Sequence, residues 1–160
     1  NRNSIKKQFL EYRKSIKNMY KGYETVAVHI RLGDYINFPI SRRNHFVCDF
    51  KWYLKAINYL SLQKKGLKFL IFTNDQNYLK KNLILPDKLD YQIASDKNDA
   101  HIDLFNMSYC KHFIISNSSF SWWASYLGEN EESLVIAPKY WYPGKLTAKE
   151  QIFRSNWILL

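Results

Sequence analysis

Five short apolar runs, each followed by a stretch of different periodicity, constrain this chain more than any other feature. They are TVAVHI (25–30), KFLIFT (68–73), YQIA (91–94), HFIIS (112–116) and SLVIA (133–137). Runs of four to six residues rich in β-branched and aromatic side chains read as buried strands. Between them the spacing changes to the helical one: Phe50, Tyr53, Leu54, Ile57 and Leu60 fall on one face, opened by Asp49 as a cap and closed by Gly66. Further helices are predicted from Gln76 to about Leu83 with Asn74 or Asp75 as cap, from Asp99 through Cys110, and from Ser118 or Ser119 to Leu127 with Gly128 as stop. A helix ahead of the first strand follows from Ile5, Phe9, Tyr12, Ile16 and Met19, with Gly22 ending it, and the stretch around Pro39 reads as irregular. Strands alternating with helices of about ten residues require crossover connections, so the fold class is α/β: a Rossmann-like, three-layer parallel sheet with helices on both faces.

The chain can fill such a core. At 160 residues and 46% apolar content it has the length of one domain, and 24% charged residues with few Gly or Pro exclude a collagen-like or disordered chain. Cys48 and Cys110 stand alone, without the paired Cys/His spacing of a structural zinc site, and both are expected to be reduced. No apolar run approaches the roughly 20 residues of a membrane span. The formal net charge of +10 points to an anionic partner, whether nucleic acid, an anionic membrane or a phosphorylated small molecule. Charge alone does not choose among them, because most of the Lys residues lie where a solvated helix face would place them.

Ligands of open parallel sheets bind beyond the carboxyl ends of the strands. The residues leaving the first strand are His29, Arg31, Gly33 and Asp34; those leaving the second are Thr73, Asn74 and Asp75; those leaving the fourth are Asn117, Ser118 and Ser119. His29 and Arg31 share a side by strand alternation. A guanidinium at a strand exit grips phosphate oxygens bidentately, and a helix opening on hydroxyls and free N–H groups is a ready anion site. Taken singly, His29 reads as a satisfied buried residue, Asp34 as a turn residue, and Asn74 or Asp75 as caps.

HIRLGDY (29–35) together with ISNSSFSWW (115–123) resembles the α-1,2-fucosyltransferases of glycosyltransferase family 11. FTND (72–75), DLFNMSYCKH (103–112) and VIAPKYW (135–141) follow in the order of that family, so the resemblance covers about residues 25–157. It implies a two-domain GT-B transferase, of which residues 1–160 are a single nucleotide-sugar-binding domain, the C-terminal part of a longer enzyme. The implied reaction moves L-fucose from GDP-fucose to the 2-hydroxyl of a terminal galactose on a glycan, inverting the donor linkage, with no metal and no further cofactor. Carried residue by residue, the resemblance puts Arg31 on the pyrophosphate as the main catalytic group, with His29 beside it. Ser118, Ser119 and Phe120, after Asn117, would line the nucleotide, and Asn74 and Asp75 would touch ribose or phosphate loops. Asp103 resembles a carboxylate that reads the guanine edge through N1–H and the exocyclic amine; as a bare sequence feature it is equally a first-turn helix aspartate. Asp34 is the one carboxylate of the first motif and so the candidate base there. One departure stands out, since the family's second arginine is replaced by Leu32.

Trp122, Trp123 and Tyr126 read as packing rings before they read as a sugar platform. The sequons at Asn106 and Asn117 fall within structured motifs and are expected to carry no glycan. That favours a cytoplasmic, bacterial-type protein, with peripheral contact at the inner membrane face resting on charge alone. The partners expected are thus a GDP-sugar donor and a galactose-terminated acceptor, with no nucleic acid. The competing readings are a GDP-sugar-binding module inactive without its acceptor half, a basic nucleic-acid-binding α/β domain, and a transferase of another sugar.

Overall fold

The computed structural model describes residues 11, 14, 18–45, 48–143 and 152–160. Most of the helix predicted before the first strand lies outside these residues. The strands are β1 (Glu24–Ile30), β2 (Leu67–Thr73), β3 (Tyr91–Ile93), β4 (His112–Ile114), β5 (Val135–Ala137) and β6 (Ile158–Leu159). They form one sheet in the order β3-β2-β1-β4-β5-β6, and every pairing is parallel. The helices are α1 (Asp34–Asn37), α2 (Pro39–His45), α3 (Phe50–Gln63), α4 (Gln76–Asn82), α5 (Ala100–Ser108) and α6 (Ser119–Gly128).

Side-chain alternation along the strands divides the interior into two layers. Val26, Val28 and Ile30 of β1, with Phe69 and Ile71 of β2, pack with Tyr53, Ala56, Ile57 and Leu60 of α3 and Leu79 of α4. On the other side, Ala27, Leu70, Phe72 and Phe113 pack with Met107 of α5 and Ala124 of α6. Helices therefore cover both faces, as the alternation of runs requires. Val26, Ala27, Val28 and Ile30 have no exposed surface; at about 1.5–3 kcal/mol for each large aliphatic side chain, this strand anchors the sheet.

The caps fall close to where the sequence puts them. Asp49 accepts from Trp52 N–H at 2.8 Å and Asp75, rather than Asn74, from Tyr78 N–H at 2.9 Å. The structure differs from the sequence reading in two places. The stretch around Pro39 is helical, forming α1 and α2, and a sixth strand of two residues adds to the sheet edge beyond β5. Cys48 and Cys110 are free and buried, and burial pushes both thiols up to about 12, which keeps them protonated. Among the described residues no helix is long and apolar enough to cross a membrane.

Candidate functional site

The strand order reverses direction between β1 and β4, which is where an open sheet of this order leaves a crevice at its carboxyl edge. A cleft of about 290 Å³ opens there. Its walls come from the ends of β1 (His29, Arg31) and β2 (Phe72, Thr73, Asn74), the loop after β3 (Ser95, Asp96, Asn98), the start of α5 (Asp103) and the first turn of α6 (Phe120).

His29 is 4% exposed. Its Nδ1 lies 2.8 Å from Ser116 Oγ and its ring is 5.4 Å from that of Phe120. Burial, and after it the charge of Arg31, lowers its pKa from 6.5 to about 3, so the imidazole is neutral at physiological pH. The charge at this end of the cleft belongs to Arg31. Its Nη2 is 2.9 Å from Asp34 Oδ1 and its guanidinium lies 5.5 Å from the Tyr35 ring centre. Asn74 faces the same turn: its Oδ1 accepts from Leu32 N–H at 2.8 Å, and its Nδ2 donates to Asp34 Oδ1 at 3.4 Å. The turn needs Gly33, which has φ +42°, and a Cβ there would run into the Asn74 side chain.

Across the cleft, Asp103 is half-buried, and desolvation raises its pKa against the opposing effect of a hydrogen bond from Asn98. Asn98 Nδ2 donates to Asp103 Oδ1 at 2.8 Å. The cleft wall thus carries both a cation, Arg31, and a hydrogen-bonded carboxylate, Asp103. Such a pair suits a ligand with an anionic group and a separate pair of N–H donors.

The remaining sequence candidates stand outside the cleft wall. Asn117 donates through Nδ2 to the carbonyls of His45 at 2.7 Å and Trp141 at 2.9 Å, tying α2 and the segment after β5 to the fourth loop. Asp75 caps α4. Ser118 occupies the N-cap position of α6 without a side-chain capping bond, and Ser119 is exposed in its first turn. The backbone N–H groups of such a turn lack intrahelical acceptors. Leu32, at the place of the family's second arginine, is 2% exposed and packs in the α3 layer. Four polar cleft residues were not singled out from sequence: Ser95, Asp96, Asn98 and Gln76. The loop after β3 is a strand exit like the others, and applying the same rule to it would have found the first three. Among the described residues no group of three or more His, Cys, Asp or Glu side chains is arranged to hold a metal ion.

The model of the family described as Glycosyl transferase family 11 matches residues 2–160. Among curated relatives, the chain is 33% identical over 131 residues to an alpha-1,2-colitosyltransferase of Escherichia coli, covering 81% of this chain and 45% of that protein. It is 31% identical over 138 residues to the O-antigen biosynthesis glycosyltransferase WbnK of Escherichia coli, covering 85% of this chain and 44% of the relative. A galactoside 2-alpha-L-fucosyltransferase of Caenorhabditis elegans is 30% identical over 116 residues, or 68% of this chain and 31% of that one. The chain spans less than half the length of these relatives.

Proposed function

The chain belongs to glycosyltransferase family 11, and on that premise we propose that its cleft is the donor site of an inverting fucosyltransferase. The substrate is GDP-fucose, the acceptor the 2-hydroxyl of a terminal galactose, and the chain the C-terminal, donor-binding half of a GT-B enzyme. The observation that carries this reading is that Arg31 and Asp103 line one cleft at the sheet's switch point. A nucleoside diphosphate has the matching parts: a guanine whose N1–H and amine donate to a carboxylate, and a pyrophosphate that accepts from a guanidinium.

In the proposed reaction the bond between the sugar's anomeric carbon and the β-phosphate oxygen breaks, its electron pair leaving with GDP, while the galactose hydroxyl attacks from the opposite face and releases its proton to solvent. Negative charge develops on the leaving GDP. Arg31 and the backbone N–H groups of the first turn of α6 at Ser119 and Phe120 are the donors proposed to stabilise it without a metal. His29, neutral and fixed by Ser116, contributes a hydrogen-bonding edge rather than a charge. Asp34 Oδ1 is engaged by Arg31 and Asn74, so the part in catalysis proposed for Asp34 runs through Arg31. Asp75 and Asn117 support the same loops through the cap of α4 and the tie to α2.

Calorimetric titration with GDP and UDP tests this reading. GDP is expected to bind more tightly than UDP. Arg31→Ala is expected to weaken GDP by at least about tenfold, the loss of a charge-assisted bidentate contact. Asp103→Asn is expected to bring GDP and UDP to similar affinity. Equal binding of the two nucleotides by the parent chain would remove the guanine assignment, and binding of neither would remove the donor site.

One comparison favours a second reading, transfer of colitose in place of fucose, because the 33%-identical relative carries that activity in its name. Competition between GDP-fucose and GDP-colitose for the GDP site separates the two.

A further inference from the structure

The turn that carries Arg31 is not held by its own strand. Beyond Ile30 the pairing with β2 ends at Thr73, and the chain must turn through Leu32 and Gly33 before α1 begins at Asp34. One side chain from the neighbouring strand exit spans that turn. Asn74 accepts from the backbone N–H of Leu32 at 2.8 Å on one side and donates to Asp34 Oδ1 at 3.4 Å on the other. That carboxylate oxygen is the one that accepts from Arg31 Nη2 at 2.9 Å. The glycine between the two contacts leaves the space that Asn74 fills, since a Cβ on Gly33 would overlap the amide.

We propose that Asn74 is the positioning residue that aims Arg31 into the cleft, acting through Asp34 and the Leu32 backbone. The proposal rests on the donor-site reading for its functional meaning. An arginine side chain gives up substantial rotamer freedom when it is held in one direction. Asp34 supplies the counter-charge that holds the guanidinium, and Asn74 holds Asp34. An arriving pyrophosphate competes with Asp34 for the same cation. If Asp34 swung freely it would follow Arg31 and repel the anion. Tied to Asn74, it keeps its place while the guanidinium turns donors toward the phosphate. Asparagine suits this position because one side chain supplies both the acceptor for Leu32 N–H and the donor for Asp34. Aspartate would supply the acceptor alone and set a second negative charge beside the first.

The test uses the chain as it stands, with two variants and two readouts. The Arg31 Nε–H signal, assigned by its loss in Arg31→Lys, reports side-chain order through its heteronuclear NOE. GDP and guanosine affinities separate the phosphate end of the cleft from the base end. Asn74→Ala is expected to lower the Arg31 NOE toward that of the exposed Arg42 and Arg43. It is also expected to weaken GDP about fivefold to tenfold while changing guanosine by less than about twofold, as the loss of one polar support at the phosphate end predicts. Asn74→Asp keeps the Leu32 contact and is expected to weaken GDP at least as much. An unchanged Arg31 signal, or equal losses for GDP and guanosine, would overturn the proposal. If the parent chain binds neither nucleotide, the donor-site reading fails, while the Arg31 signal in the two variants still decides whether Asn74 positions the arginine.

Discussion

At the residue scale, the cleft separates two basic side chains that the sequence places two positions apart. Arg31 keeps its charge and reaches a partner carboxylate; His29 is enclosed between Ser116 and Phe120 and loses its own. The enclosure has a consequence for stability. Because His29 titrates near 3 in the native state against an ordinary 6.5, the unfolded chain takes up a proton between those values that the folded chain does not. Acidification therefore favours unfolding, by at most about 1.4 kcal/mol for each pH unit in that window, and His29 has no effect above it. Buried His112 shifts in the same direction, chiefly by desolvation, and its Nδ1 accepts from Leu134 N–H, so its contribution has the same sign. The comparison must therefore be made with a His29 variant. Urea midpoints measured at pH 7.5, 5.5 and 4.5 are expected to fall less steeply for His29→Gln than for the parent chain. Parallel pH profiles would mean that His29 takes up its proton in the folded state.

At the element scale, a close approach of α6 to α5 is set by Gly128, the last residue of α6. From sequence it reads as a stop signal. Its φ is not positive; instead, a Cβ there would meet the Ser108 carbonyl at the end of α5 and the Phe113 ring of β4. Gly128→Ala is accordingly expected to force α5 and α6 apart and to destabilise the chain by about 1–3 kcal/mol, the usual cost of overpacking. Denaturant unfolding checks this; an unchanged midpoint would show that the two helices have room to move.

Gly128 illustrates what the sequence carries and what it does not. Periodicity marks β1, β2 and α3 because each has a long buried face, and the strand-exit rule leads from β1 to His29 and Arg31. It does not mark α1 and α2, whose residues include none that are buried, nor β6, whose two residues are below any periodic signal. The cleft wall after β3 was missed for a related reason. That strand sits at the sheet edge with two of its three residues exposed, and its exit draws little notice beside the polar loops of the buried strands. A resemblance of motifs reached Asp103, but its Asn98 partner depends on how the loop folds back.

At the scale of the whole molecule, the formal charge of +10 and the cleft are separate features. Among the described residues the charged cleft walls are Arg31, Asp96 and Asp103, one cation against two carboxylates, and no Lys lines it. The basic excess therefore lies elsewhere on the chain. Lys68 is paired with Asp90, and Lys111 with Glu24 and Glu132, while Lys64, Lys65 and Lys88 line a shallow depression beside Gly66, at the opposite end of the strands from Arg31. This arrangement separates the two ligand classes that the net charge admits. A nucleic acid tracking a basic surface releases one counterion for about every phosphate it neutralises, so its affinity falls steeply with salt. A nucleotide in the cleft meets one cation and two carboxylates, and its pyrophosphate offers only two phosphate groups. The slope of log affinity against log salt is expected to be about −1 to −2 for GDP, as for one or two neutralised phosphates. Titrations between about 50 and 400 mM salt, over which the Debye length falls more than twofold, measure it. A slope several times steeper for an oligonucleotide, with affinity exceeding that for GDP at physiological salt, would assign the chain's main ligand to the basic surface. A shallow GDP slope that disappears together with binding in Arg31→Ala would place the ligand at the switch point, where the parallel topology, the Asn74-supported turn and the Asp103 carboxylate converge.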